Sequence, residues 1–237
     1  MKILSIIPAR GNSKSIKLKN LALLNNKPLI YYSIKQSLRS KIINRTIVST
    51  DNKRIAKIAL KYGAEVPFLR PKKISKDNST DLDFILHTLK ELQKEKYYPE
   101  FIVQLRPTQP LRKICFIDQA IKKMIKNKKA DALRSISVPE RSPYKMWVKN
   151  GKYLNYFVKN KIKKKFYDAN RRILPKVYWH DGIIDVMRTS SLLKFKSTIG
   201  KKLIYIQNKD QYLIDIDESR DLKIANLLIK KRIIKIS

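Results

Sequence analysis

The sequence predicts an α/β protein with a mostly parallel sheet and helices on both faces. Two observations carry that reading. Short apolar, β-rich runs (Ile3 to Ile7, Arg45 to Thr50, Glu100 to Leu105, Ala130 to Val138) alternate with stretches of helical spacing (Pro28 to Leu38, Ile55 to Tyr62, Leu82 to Leu92, Ile114 to Asn127). Such alternation makes a parallel sheet covered on both sides. The strand runs also end in polar loops bearing Gly or Pro, and in open α/β sheets ligands sit beyond the carboxyl ends of the strands.

Each element has its own signal. Leu29, Ile30, Ile34 and Leu38 recur at helical spacing behind Pro28, which suits a first turn. Ile55, Ile58, Ala59 and Tyr62 repeat the pattern and stop at Gly63, with Asp51 expected to cap that helix. Glu65 to Pro71 reads as a short strand, and Ser75 to Asp81 as a polar loop that starts the next helix. Leu203 to Ile206 gives a late strand, Tyr212 to Asp217 an extended segment, and Leu222 to Ile229 a final helix. Between Pro139 and Val177 the composition shifts to Tyr, Trp, Phe and Lys, with the basic run Lys159 to Lys165. No long helix fits there, so a small β-rich excursion is expected, inserted into a main domain of residues 1–138 and 178–237.

Composition narrows the functional classes. With 237 residues the chain is long enough for one sizeable core plus a small lobe. Its 54 Lys and Arg against 19 Asp and Glu leave a formal charge of +35, which invites a nucleic-acid reading. The lysines are spread through every segment, however, and a diffuse excess attracts phosphate without reading sequence. Interleaved aromatics and lysines in the excursion keep single-stranded nucleic acid as an alternative. Cys115 is the only cysteine and reads as a small buried hydrophobe, so no internal disulfide is possible. The apolar stretch before Pro8 is too short for a signal-peptide core, and no run approaches the ~18 residues of a membrane span. A cytoplasmic protein is expected, with no membrane partner.

The loop after the first strand, Pro8-Ala9-Arg10-Gly11-Asn12-Ser13-Lys14-Ser15-Ile16-Lys17-Leu18-Lys19-Asn20, has the shape of an anion site. Gly11 permits a tight turn, and Arg10, Lys14, Lys17 and Lys19 bring enough charge for a polyphosphate. It is neither a P-loop nor a dinucleotide fingerprint, because it has one Gly and relies on side-chain cations. The plain alternative is a solvated basic loop. Near the other end, Asp215 and Asp217 flank Ile216, so an extended chain turns both carboxylates to one side. Such a pair suits Mg²⁺, which binds one or two carboxylates plus substrate phosphates. The alternative is that Asp217 caps the last helix.

These segments together resemble the acylneuraminate cytidylyltransferases, the CMP-sialic acid synthetases and their relatives. The resemblance rests on Pro-Ala-Arg-Gly-Asn-Ser-Lys with Leu-Lys-Asn, Leu69-Arg70-Pro71, Pro107-Thr108-Gln109-Pro110-Leu111-Arg112, Leu174-Pro175 with Asp181-Gly182, and Asp215-Ile216-Asp217. It implies a Rossmann-like, nucleotidyltransferase-type sheet and transfer of CMP from CTP to an acidic α-keto sugar, with Mg²⁺. Arg10 and Lys19 would act at the phosphates, aided by Ser13 and Lys14. Asn20 would hold the ribose, and Arg70 with the loop around Ser79 and Asp81 the base. Arg106, Gln109, Arg171 and Asp181 are the implied acceptor residues, and Asp215 and Asp217 the metal ligands. The excursion would pair two subunits as a homodimer. Departures cluster near the acceptor: Arg106 stands where many members carry Gln, Gln109 at a Ser, Asp181 at an Asn, and Asp185 near a Tyr. They leave the sugar open, a 3-deoxy-octulosonate included. His180 reads as pocket lining or structure, and His87 as structure.

Overall fold

A computed structural model describes residues 1–158, 166–210 and 214–234. The basic run Lys159 to Lys165 and the pair Tyr212-Leu213 lie outside the described residues. The chain forms two compact units, Met1–Ser135 with Asp181–Ser237, and Ile136–His180.

In the first unit, β1 (Ile3–Pro8) leads through the polar loop to a small hairpin of β2 (Leu23–Leu24) and β3 (Lys27–Pro28) and to α1 (Leu29–Leu38). Then follow β4 (Arg45–Ser49), α2 (Lys53–Lys61), α3 (Asp81–Lys94), β5 (Phe101–Gln104), α4 (Ile114–Lys126) and β6 (Ala132–Ser137). The second unit holds the hairpin β7 (Trp147–Asn150) and β8 (Tyr153–Tyr156). After it the chain gives β9 (Trp179–Arg188), α5 (Thr189–Phe195), β10 (Leu203–Gln207) and α6 (Ser219–Lys230). The main sheet has the order β10-β6-β9-β5-β1-β4. β1 pairs parallel with β4 and β5, whereas β9 runs antiparallel to β5.

Strand alternation divides the core. Ile3 and Ile7 of β1 pack with Ile30 and Ile34 of α1, Ile55 of α2 and Ile121 of α4. Leu4 and Ile6 face the other way, against Phe84, Ile85 and Leu92 of α3 and Leu192 of α5. Helices therefore cover both faces, as the period-2 pattern of a two-sided sheet requires. A third cluster joins Leu24, Leu29 and Tyr32 near the start to Ile216 and Ala225 near the finish. Burying Ile216 completely contributes about 1.5–3 kcal/mol, which holds the C-terminal segment against the N-terminal one.

Several expectations are corrected. Residues 65–71 form only one bridge, Ile47 to Glu65, because Pro67 and Pro71 lack the N–H a ladder needs. Asn52 caps α2 through bonds from the Arg54 and Ile55 amides, and Asp51 instead accepts from the Gly11 amide at 2.7 Å. Residues 214–217 are not a strand: the Asp217 amide folds back on the Asp215 carbonyl at 3.1 Å. Cys115 is exposed, since Ile117, Ala120, Ile121 and Met124 form the inner stripe of α4 and position 115 falls off it. Asp217 does not cap α6; Glu218 does, in a capping box with Asp221.

In the second unit, the hairpin turns at Gly151-Lys152 with Gly151 at φ 57°. Tyr156 and Tyr167 stack at 4.2 Å between centroids, and Trp147 leans on both at a tilt. Trp147, Val148, Tyr153, Leu154 and Phe157 remain exposed. Among the described residues no helix is long and apolar enough to cross a membrane.

Candidate active site

At the carboxyl ends of β1 and β5 the first unit opens a cleft of about 440 Å³. Its walls are supplied by four stretches distant in sequence. The opening loop gives Arg10, Ser13, Lys19 and Asn20; the 70–84 segment gives Arg70, Lys76, Asp77, Ser79, Thr80, Asp81 and Phe84. The loop after β5 gives Arg106, Pro107 and Thr108, and the C-terminal segment gives Asp215 and Asp217.

The two ends of the chain touch directly. Lys19 Nζ lies 2.8 Å from Asp217 Oδ1, and the Ser15 hydroxyl donates to the Asp217 carbonyl at 2.5 Å. The Ile216 amide donates to the Thr108 carbonyl at 2.9 Å, which seats the acidic segment on the loop after β5. Burial, with the neighbouring Asp217 charge, pushes the Asp215 carboxyl above the usual range, against a hydrogen bond from Thr108. Asp215 Oδ1 is buried with no hydrogen-bond partner. An orphaned carboxylate oxygen beside a second carboxylate fits a hard cation. Among the described residues no group of three or more His, Cys, Asp or Glu side chains forms a metal cluster, so remaining ligands would have to come from substrate and water.

The opening loop is held by its neighbours. Asn20 is buried and donates to the Arg10 carbonyl at 3.0 Å. Arg10 pairs with Asp77 at 3.0 Å and donates to the Lys76 carbonyl at 2.9 Å. Lys14 is exposed outside the cleft and also meets Asp77, at 2.7 Å. The Lys14 hydrogen bond is the main reason the Asp77 carboxyl sits below its ordinary range.

Arg70 is buried. Its guanidinium donates to the Ser49 hydroxyl (3.0 Å) and carbonyl (2.6 Å) and stacks 4.7 Å over the Phe84 ring. Burial presses its pKa down to about 10, which still leaves it charged at neutral pH. The Ser79 hydroxyl accepts from the Lys76 amide, fixing the loop ahead of α3. Thr80 caps α3 in a capping box with Asp83, leaving the Asp81 carboxylate to accept from Arg106 Nη2 at 2.7 Å.

Arg106 also donates from Nη1 to Asp185 at 2.6 Å. Burial lowers its pKa, but Asp185 and Asp81 outweigh that and hold it above the ordinary value. Gln109 and Asp181 do not line the cleft. Both are buried: Gln109 donates to the Asp181 carbonyl at 2.8 Å, and the Asp181 carboxylate accepts from the Ser135 hydroxyl and the Ile183 amide. Arg171 belongs to the second unit, where it donates to the Glu140 carbonyl. Sequence reasoning had not singled out Lys76, Asp77 and Thr108 as site residues, nor the role of Arg112. Buried Arg112 donates to the Ile183 and Arg106 carbonyls, Ser33 and Gln36, tying the loop after β5 to α1. The only sequence signal for Arg112 was its place closing the Pro-Leu-Arg motif.

Comparison with known proteins adds a family. Residues 4–183 match the family model described as Cytidylyltransferase. The chain is 31% identical over 97% of its length to a pseudaminic acid cytidylyltransferase of Campylobacter jejuni, covering 97% of that protein. It is 32% identical over 96% of its length to a CMP-N,N'-diacetyllegionaminic acid synthase of the same species, covering 95%. Among solved structures, CMP:2-keto-3-deoxy-manno-octonic acid synthetase complexed with CTP superposes with a TM-score of 0.69 at 13% identity, over 98% of this chain and all of that one; this shows likeness of fold.

Proposed function

This chain belongs to the cytidylyltransferase family, and from that premise we propose that it activates an acidic nonulosonate sugar with CTP, releasing pyrophosphate. The observation that supports this is the meeting of Lys19 with Asp217 in one cleft, where the cations proposed for the phosphates stand beside the carboxylate pair proposed for the metal. In the reaction the sugar's anomeric hydroxyl attacks the α-phosphorus, the bond to pyrophosphate breaks and pyrophosphate leaves with its electron pair, and the hydroxyl proton passes to solvent water. Arg10 and Lys19, with Lys14, neutralise charge that develops on the phosphoryl oxygens, and the Ser13 hydroxyl donates a hydrogen bond to them. Asn20 holds the ribose, while Arg70 and the backbone around Ser79 and Asp81 hold the base. Arg106 meets the acceptor, with Gln109 and Asp181 shaping the wall behind it; Arg171 is kept as an acceptor residue on family resemblance alone. Asp215 and Asp217 would hold Mg²⁺, which when bound supplies charge neutralisation between the phosphates.

The names of the relatives support a nonulosonate, pseudaminic or legionaminic acid foremost, and their identities to this chain are too close to choose between them. The exposed aromatic face of the second unit supports pairing with a second copy, and the proposed compartment is the cytoplasm, where CTP is made. A pyrophosphate-release assay with CTP, Mg²⁺ and a panel of pseudaminic, N,N'-diacetyllegionaminic and N-acetylneuraminic acids tests the reaction. Turnover of at least one is expected, and none overturns the reading. Light scattering after size exclusion tests the pairing, with twice the monomer mass expected.

A further inference from the structure

The acceptor end of the cleft brings two arginines and two aspartates into direct contact. Arg106 is gripped at both guanidinium tips, by Asp185 at 2.6 Å and by Asp81 at 2.7 Å. Arg134 Nε stands 3.5 Å from the other oxygen of Asp185. Two cations face two carboxylates, so these four sum to zero. An acceptor carboxylate arriving at Arg106 adds a third negative charge in a partly desolvated place, where like charges repel strongly. One resident carboxylate has to give way.

The two residents are not equally free to leave. The Asp185 side chain is 6% exposed, lies within β9 opposite Gln104, and is flanked by two arginines. Withdrawing it leaves two half-buried cations facing each other without their shared carboxylate, which is unfavourable. The Asp81 side chain is 40% exposed and sits on the first residue of α3. Released from Arg106, it meets water and the positive end of the helix, where a carboxylate is stabilised. A guanidinium also offers two parallel N–H groups to an incoming carboxylate.

We infer that Asp81 is an internal stand-in for the acceptor's carboxylate, displaced from Arg106 when the sugar binds, and that Asp185 is the positioning residue that keeps Arg106 aimed into the cleft. This rests on the acid-sugar reading above and goes beyond it by dividing the two carboxylates into an exchangeable and a permanent partner. The helix residue thereby sets selectivity: a neutral acceptor cannot displace Asp81, so the empty site already rejects it.

Steady-state kinetics with the acid sugar that the wild type turns over, and with its methyl ester, test this. Asp81→Asn is expected to lower KM for the acid about threefold to tenfold, because the competitor for Arg106 is gone. Asp185→Asn and Arg106→Gln are expected to raise that KM at least about tenfold with a smaller change in kcat, and to narrow the preference of acid over ester. A rise in acid-sugar KM for Asp81→Asn overturns the displacement, and it does so whether or not Asp185→Asn folds. Unchanged acid-sugar KM in a folded Asp185→Asn overturns the positioning role. Wild-type inactivity on every acid sugar overturns the underlying reading, whereas wild-type turnover with unmoved variants overturns this inference alone.

Discussion

Carboxylates are used differently in two regions of the main unit. In the cleft, Asp77, Asp81 and Asp217 each pair with side-chain cations, Arg10 and Lys14, Arg106, and Lys19, which the proposed function assigns to substrate anions. Asp131, which does not line the cleft, takes the Ser191 hydroxyl at 2.6 Å and the Lys201 and Lys202 amides at 2.9 and 2.8 Å. Those donors belong to its own fold and no ligand competes for them. On this reading the exposed carboxylates of the cleft are exchangeable, whereas Asp131 is fixed by donors of its own fold. Changes in the first region should move kinetics, and changes in the second should move stability.

The sharpest break in that comparison comes from the phosphate end. Lys19→Ala and Asp215→Asn are each expected to lower kcat by about 10²–10³, with melting temperature close to wild type; a large loss of stability with normal kcat in the folded fraction would erase the distinction. Arg70→Ala joins the two effects. It takes the Arg70 donor from the buried Ser49 hydroxyl and one of two donors from the Ser49 carbonyl, which keeps the Ala9 amide, so about 1–3 kcal/mol of stability should go, measured by denaturant titration, together with a higher KM for CTP.

Smaller effects sharpen it. Asp77→Asn frees Arg10 and Lys14 and should lower KM for CTP roughly two- to fivefold, less so at high salt because these pairs are exposed. Asp131→Asn should leave kcat and both KM values alone and lower the melting temperature. The hydrogen bond from Ser191, then the Lys202 amide, hold the Asp131 carboxyl below its ordinary value. Its contribution is therefore present above the unfolded carboxylate value of about 3.9 and is lost as pH falls through the folded one. The melting-temperature gap between wild type and Asp131→Asn should be widest at neutral pH and close on acidification.

Much of this was legible in the sequence. The alternation of apolar runs and helical periods located the main helices, because each helix buries one stripe and leaves the other to charge. The cation-rich opening loop and the Asp215-Ile216-Asp217 triplet stood out for the same reason: charges interrupt an apolar pattern at a fixed spacing. What could not be read depends on competition between near neighbours. Asp51 and Asn52 can both cap a helix, and the Gly11 amide, forty positions away in sequence, decides between them. In sequence Arg106 reads equally as an acceptor contact or a surface arginine, and its ion pair appears only when β9 brings Asp185 to it, although a lone acid in Ile183-Ile184-Asp185-Val186 was a visible signal of a buried partner. Lys76 and Asp77 carried no signal, since exposed charges abound in so lysine-rich a chain.

Gly11 carries a consequence beyond its turn. A methyl group there would lie 2.8 Å from the side chain of Asn52, the residue that starts α2. The two positions are therefore sterically linked between the loops that follow β1 and β4: the contact includes the Asn52 Cβ, so an enlargement at position 11 is relieved at position 52 only by glycine or by a backbone shift, and losing the Asn52 side chain also forfeits its cap on α2. Within homologues of this chain, drift at position 11 should be found only together with drift at position 52.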